Sequence, residues 1–338
     1  MVRAHGPGRV NLIGEHTDYN DGLCLPFAIA RGVTVTAERI DGDDVIAHAR
    51  NLNEEDSFAL SDPPPAQGWR AFVHGTVAEL RAASHAVPAA RLEIEGDIPQ
   101  GAGLSSSAAL ESALCLALLA LADEEPDRLE LARLGARVEN EWVGAQTGLL
   151  DHLAALFSRE GSALRLDIAA MELVEVPLDL GDWTLAVLDS KTPHDNAASG
   201  YNERRKECVR AAAQLGLDSL RAATLEDVPR LSEPLDRRVR HVVEENERVD
   251  RAVEALAHED LRELGALLDA SHASLRDLYE VSTPELERTV NAMKAAGAAG
   301  ARVIGGGFGG SVLGLFPPGA DPPAGSLQVE PGPAARLL

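Results

Sequence analysis

The chain has little of what would tie it to a membrane, a nucleic acid or an oxidising compartment. Only 3 of its 338 residues are cysteine, Cys24, Cys115 and Cys208, too few and too scattered for a disulfide framework or a metal-ligand spacing. A reducing, cytoplasmic setting is the expectation, with Cys115 a small core residue inside an apolar helical run. Basic side chains are outnumbered, 31 Lys and Arg against 54 Asp and Glu, for a formal net charge of −23. That balance excludes the clustered positive charge on which nucleic-acid and anionic-membrane binding depend, and it reads as a solvated surface. No basic-then-apolar leader opens the sequence, and its longest apolar run, from Ala113 to Ala122, is about half of the roughly 20 residues that span a bilayer. That run is expected as a buried helix.

What is present suits a large soluble core, because 45% of the residues are hydrophobic. Alternation at Val33, Val35 and Ala37, and at Leu92 and Ile94, predicts strands in the first hundred residues. After a proline-rich loop from Ser61 to Gly68, the spacing of Trp69, Phe72, Val73, Val77 and Leu80 predicts a helix. Further helices are predicted over Ser105 to Leu121 and Leu129 to Trp142, with Pro126 punctuating the gap. Strand character returns near Leu164 and at Trp183 to Leu188, which places a domain boundary in the Pro177 to Asp182 turn region and divides the chain into 1–178 and 179–338. Helical patterning then runs from Asn202 to Gly297. Strands at Ala301 to Ile304 and Ser311 to Phe316 flank a glycine run, and a Pro/Gly-rich tail follows.

The stretch Gly101-Ala102-Gly103-Leu104-Ser105-Ser106-Ser107-Ala108 fuses a glycine- and serine-rich loop to an apolar helix. Unpaired N–H groups at a helix start, together with the helix dipole, favour an anion such as phosphate there, and serine hydroxyls add donors and can ligate Mg²⁺. The loop lacks the lysine of a G-x-x-x-x-G-K-[ST] motif, so it is not a P-loop. Near the start, Glu15, His16 and Asp18 crowd into four residues of a tight turn. Such a cluster can cap a helix, bind a metal, or accept hydrogen bonds from vicinal sugar hydroxyls. Asp151, between Leu149, Leu150 and Leu153, is costly to bury without a partner, and Arg9 is the natural one. The bland alternative is a structural ion pair.

Taken together, the segment Gly8 to Tyr19, the loop from Pro99 to Ala108 and the run Gly305 to Gly310 resemble the three signatures of the GHMP kinase superfamily, and the first of them resembles the galactokinase family almost residue for residue. The similarity continues through Ser199 to Cys208 and Ser271 to Ser282, in order and over nearly the whole chain. It implies an α+β fold in two domains, mixed sheets with helices packed on them, and an active site in the cleft between. It also implies ATP-dependent phosphorylation of the anomeric hydroxyl of α-D-galactose, giving galactose 1-phosphate and ADP.

By the same resemblance, Asp151 and Arg9 are catalytic, and Glu15, His16, Asp18, Gly148 and Tyr201 meet the sugar with them. Gly101, Ala102, Gly103, Leu104, Ser105, Ser106 and Ser107 surround the ATP phosphates, and Ser107 and Glu139 contact Mg²⁺. Glu139 reads equally as a solvated helix residue. Trp69 and Phe72 stand where the family carries an aromatic pair near adenine, although their spacing fits a core face too. The expected partners are galactose and ATP, with no nucleic acid and no membrane, and the chain is expected to be a monomer.

Several positions depart from the family pattern. The sequence opens only a few residues before its first motif, where the family carries a longer leading segment, so an unusual start or a shortened N-terminal element is expected. Gly6 replaces the more usual alanine, His152 stands where glutamine is common, and Ser311 takes the place of a frequent cysteine. The segment Asp189 to Asp195 also diverges and can border the sugar. Related sugar 1-kinases acting on N-acetylgalactosamine or another sugar therefore stay open as a reading. A non-catalytic galactose and ATP sensor also stays open, although such offshoots lose residues of the serine loop that are intact here.

Overall fold

The computed structural model describes residues 1–99, 101–125, 127–192 and 197–338. Pro126 and the stretch 193–195, both singled out in the sequence, lie outside the described residues. The first half contains strands β1 (Val2–Asn11), β2 (Leu23–Cys24), β3 (Pro26–Arg39), β4 (Asp44–Ala49) and β5 (Glu54–Ala59), helix α1 (Trp69–Ala82) and strand β6 (Ala90–Gly96). Helices α2 (Ser106–Leu121), α3 (Arg128–Arg137) and α4 (Leu150–Phe157) and strands β7 (Ser162–Asp167) and β8 (Glu172–Pro177) complete it. The second half runs β9 (Thr184–Asp189), α5 (Ala197–Leu215), α6 (Leu235–Ala257), α7 (Leu261–Asp277), α8 (Pro284–Ala295), β10 (Gly300–Ile304), β11 (Ser311–Phe316), β12 (Leu327–Val329) and β13 (Arg336–Leu337).

The alternation seen in the sequence becomes a one-sided sheet. Val33, Val35 and Ala37 on β3, and Leu92 on β6, point into the core, while their neighbours take the other face. Six strands join in the order β13-β1-β3-β6-β4-β5, antiparallel except where β4 lies parallel to β6. Helix α2 lies against β1 and β3, apolar around its circumference except for Glu111 and Ser112, and buried from Ala108 to Leu119. Each of its buried leucines contributes about 1.5–3 kcal/mol of burial energy. The helix comes so close to β1 that a β-carbon on Gly6 would sit 2.0 Å from the carbonyl oxygen of Ala109, which is why this chain carries glycine there.

Local signals set several helix ends. Asp127 accepts from the Leu129 amide to open α3, Asp260 caps α7 through the Glu263 amide, and Thr283 with Pro284 opens α8. The predicted helix over 129–142 changes character part-way, since α3 gives way to a π-helical turn at Val138–Val143.

Strands β10-β11-β9-β12 form a second, antiparallel sheet, which α7 and α8 cover, and β2, β7 and β8 form a small third one. The chain passes from the third sheet to the second within residues 178–183. The halves nonetheless share a core in which Val10, Leu12 and Leu25 pack with Leu185, Val187, Val249 and Leu313. The chain end also crosses back, because β13 pairs with β1. The segment carrying Arg9 through Asp18 therefore lies where the halves meet. No helix among the described residues is long and apolar enough to cross a membrane.

Candidate active site

A cavity of about 240 Å³ opens at this junction. Arg9, Glu15, His16 and Asp18 from the first motif line it with Gly103, Gly148, Asp151, Tyr201 and the glycine run. Segments far apart in sequence thus share one pocket.

At its centre, Arg9 faces Asp151 side-on, with Nε donating to Oδ1 at 2.6 Å and Nη2 to Oδ2 at 2.7 Å. This bidentate geometry is the strong form of the pair, and Arg9 is only 7% exposed. Burial alone would raise the Asp151 carboxyl, but the charge and hydrogen bonds of Arg9, with the Ser105 hydroxyl, outweigh it and hold the group below its ordinary value. Nη1 of Arg9 also donates to the Gly103 carbonyl at 2.7 Å, which fixes the guanidinium to the phosphate-type loop.

Ser105 stands at the N-cap of α2 in a left-handed conformation, φ 57°, that serine adopts only under constraint. Its hydroxyl makes no cap bond and donates instead to Asp151 Oδ2 at 2.6 Å. The opening turn of α2 is thus left without a side-chain cap, beside the carboxylate. Ala102 and Leu104 are buried in the shared core, so they can offer a ligand only backbone, while Gly101 and Ser106 are exposed.

Glu139, 4% exposed, departs from the solvated-helix alternative. It sits in the π-helical turn, where its Oε1 accepts from Ser107 Oγ at 2.6 Å and its other oxygen accepts from Thr147. These are hard oxygen donors.

In the first motif, Glu15 is tied by Arg302 at 2.7 Å and by the Gly305 amide at 2.9 Å, both through Oε1. Its backbone carbonyl accepts from His241 Nε2 at 3.1 Å. Asp18, half-buried, lies against residue 148, where a β-carbon would sit 2.1 Å from Asp18 Oδ2, so only glycine fits. Burial, then the neighbouring charge of Asp151, pushes the Asp18 carboxyl up to about 7. Tyr201 closes one wall, its ring 5.4 Å from that of His16, and a β-carbon on Gly306 would come within 2.9 Å of it.

Sequence reasoning missed Arg302, His241, Thr147 and Asn202, the last of which lines the cavity. Arg302 was findable, because a lone charge inside the apolar strand Ala301 to Ile304 demands a buried partner, as Asp151 did. The aromatic pair is not brought to this pocket. Trp69 donates to Glu54 at 2.9 Å under the Arg70 guanidinium, and with Phe72 it packs on the core of the first half.

Comparison with known proteins identifies the lineage. Residues 2–39 match the galactokinase galactose-binding signature, residues 71–159 the GHMP kinases N terminal domain, and residues 252–329 the GHMP kinases C terminal domain. The chain is 44% identical over 326 residues to a galactokinase of Mycobacterium bovis, spanning 94% of this chain and 90% of that one. With a galactokinase of Thermotoga petrophila it shares 40% identity over 320 residues, at the same coverage. Its fold superposes on the crystal structure of Lactococcus lactis galactokinase complexed with galactose with a TM-score of 0.93, at 32% identity, covering 100% of this chain and 95% of that one. A mevalonate kinase of Methanococcus jannaschii, at 21% identity over 93% of this chain and 90% of its own, shares the fold with a TM-score of 0.68. At this identity and coverage, the chain belongs to the galactokinase family of GHMP kinases.

Proposed function

We propose that the chain transfers the γ-phosphoryl group of ATP to the anomeric hydroxyl of α-D-galactose, releasing galactose 1-phosphate and ADP. The observation that carries this is the placement of Asp151, held by Arg9 and Ser105, between the sugar-motif carboxylates and the start of α2. Glu15, His16 and Asp18 accept hydrogen bonds from the sugar hydroxyls, and Tyr201 packs on the ring. The α2 amides and the serine loop receive the phosphates.

As the sugar O1 bonds to the γ-phosphorus and the bond to the ADP oxygen breaks, the O1 proton passes to Asp151. A carboxylate held low is a weak base towards a free hydroxyl, so the proton moves late, once bonding to phosphorus has acidified O1. Until then Asp151 orients the hydroxyl, and Arg9 balances the charge that develops beside it.

The Ser107 hydroxyl and Glu139 carboxylate, 2.6 Å apart, fit Mg²⁺, which takes few protein oxygens and completes its shell with water and phosphate. When bound there it would neutralise phosphate charge. Trp69 and Phe72 lie on α1, which packs against the π-helical turn carrying Glu139, and we place the adenine on that side of the site. Division into a sugar- and phosphate-binding half, 1–178, and a glycine-run half, 179–338, fits the change of sheet.

An ADP-release assay across a sugar panel tests the reading. Galactose is expected to give the highest kcat/KM, and preference for N-acetylgalactosamine or another sugar overturns the substrate assignment. Sugar binding without ADP production overturns the activity itself.

A further inference from the structure

The chain contains only three tyrosines, and all of them stand against one histidine. The rings of Tyr19, Tyr201 and Tyr279 lie 5.9, 5.4 and 4.7 Å from that of His16. From His16 a line of hydrogen bonds leads away from the cavity. Nδ1 meets the Tyr19 hydroxyl at 2.9 Å, Tyr19 meets the Tyr279 hydroxyl at 2.9 Å, and Tyr279 meets Cys208 Sγ at 3.0 Å. The line ends in the helical core of the second half, where Cys208 and Tyr279 are fully enclosed. His16 itself lines the cavity, is 3% exposed, and leaves its other nitrogen, Nε2, buried with no partner in the protein.

We propose that Tyr19, Tyr279 and Cys208 are positioning residues that fix the ring tautomer of His16, with its proton on Nδ1, so that Nε2 faces the sugar as a bare hydrogen-bond acceptor. The reasoning is a count of protons. Each phenol has one, so the line runs in a single sense, and its far end decides which. At that end the sulfur also meets the side chain of Asn20, whose amide group otherwise donates to the His16 carbonyl at 2.8 Å. A thiol is a weak donor and a phenol a good one, so the sulfur takes the Tyr279 proton. Tyr279 then accepts from Tyr19, and Tyr19 accepts from His16 Nδ1–H. Burial keeps the imidazole neutral, so Nε2 carries a lone pair. Charge does not drive this choice; the sense of the hydrogen-bond line does. The result is a cavity wall of acceptors, Glu15, Asp18, Asp151 and Nε2, that suits a polyol donating a hydroxyl to each.

The proposal rests on the sugar-site reading above, and its test separates the two. Tyr279→Phe keeps the ring but removes the acceptor for Tyr19, whose proton then turns to His16 Nδ1 and moves the ring proton to Nε2. ¹⁵N NMR of the histidine ring in the unliganded protein is expected to show that exchange of protonated nitrogens. KM for the sugar should rise roughly tenfold, the scale of one hydrogen bond turned from favourable to opposed, while kcat and the KM for ATP stay within about twofold. Cys208→Ala should give the same signature, and Cys208→Ser, which keeps an acceptor, should restore wild-type behaviour. The kinetic arm uses whichever sugar the panel shows to be turned over, so a wrong substrate assignment leaves it standing. A tautomer unchanged in both Tyr279→Phe and Cys208→Ala overturns the proposal, as does a tautomer that flips with no change in sugar KM. Equal rises in the sugar and ATP KM values, the mark of a merely structural defect, overturn it as well.

Discussion

Arg302, on a strand of the second half, reaches to 2.7 Å from the Glu15 carboxylate of the first, and the guanidinium is 0% exposed. It also donates to the backbone carbonyls of Asn11 and Leu12 at 3.1 and 2.8 Å. One side chain therefore supports both the path of the first motif and the charge of its Glu15 carboxylate. Removing one member of such a pair leaves the other as a buried, unmatched charge, at a cost of about 3–5 kcal/mol. Arg302→Met is expected to lose stability on that scale in urea unfolding, and a loss below about 1 kcal/mol would contradict the buried-pair account.

On the proposed reading, in which Asp18 meets the sugar, binding is sensitive to pH. Its carboxyl, pushed up to about 7 by burial and then by Asp151, protonates as pH falls through neutrality, and a protonated carboxyl is a poor acceptor for sugar hydroxyls. Galactose affinity, read by calorimetry, should weaken as pH drops below about 7, and Asp18→Asn should flatten that dependence.

The stability sign runs the other way from that of an ordinary salt-bridged aspartate. The folded value lies above the ordinary 3.8, so the native state holds this proton more tightly than the unfolded chain. The resulting stabilisation is full below about pH 4 and is lost as pH rises through 7. Asp18→Asn should accordingly gain stability relative to wild type above pH 7, measured as a difference in thermal midpoint at pH 6 and pH 8.

What the sequence revealed follows the range of the interactions involved. Strand alternation in β3 and the apolar run of α2 are local and were legible, as was the need of Asp151 for a cationic partner. The tether of Glu15 depends on Arg302 and His241, more than 200 positions away, and polar residues on an amphipathic helix such as α6 read as a solvated face. That helix buries His241 and Glu245, and Glu245 accepts from the Gly14 amide at 3.1 Å. No periodicity distinguishes such a residue from its exposed neighbours. Ser105 was legible as part of a glycine- and serine-rich loop at a helix start, but its turn towards Asp151 comes from a left-handed backbone that composition does not encode.

His152, where the family commonly has glutamine, pairs at 2.6 Å with Glu111, both beneath the surface. The pair joins α4, which carries Asp151, to α2, which carries the serine loop. Burial opposes the charge on both partners: Glu111 outweighs it and raises the His152 imidazole, while burial raises the Glu111 carboxyl in spite of His152, so the pair shares a proton in a tight hydrogen bond. Glu111→Ala should cost about 1–3 kcal/mol in denaturant unfolding, because the buried imidazole loses its hydrogen-bond partner and gives up its proton. The double variant Glu111→Gln with His152→Gln keeps a neutral hydrogen bond and should recover most of the loss. A double variant no more stable than Glu111→Ala would mean that the defect lies in packing and not in the lost hydrogen bond.

Asp151→Asn separates chemistry from binding. The amide is nearly isosteric and can still accept one hydrogen bond from Arg9, whose contact with the Gly103 carbonyl is untouched. What it cannot do is take the O1 proton or balance the guanidinium, so kcat should fall by about 10²–10⁴. Galactose is held mainly by Glu15, His16 and Asp18 in this reading, so its dissociation constant should change by less than about tenfold, equivalent to roughly 1.4 kcal/mol. The two quantities, measured by ADP release and by calorimetry on the same preparation, must diverge. A loss of galactose binding in step with kcat would make the Arg9–Asp151 pair a structural support of the pocket, and near-normal kcat would remove Asp151 from the reaction altogether.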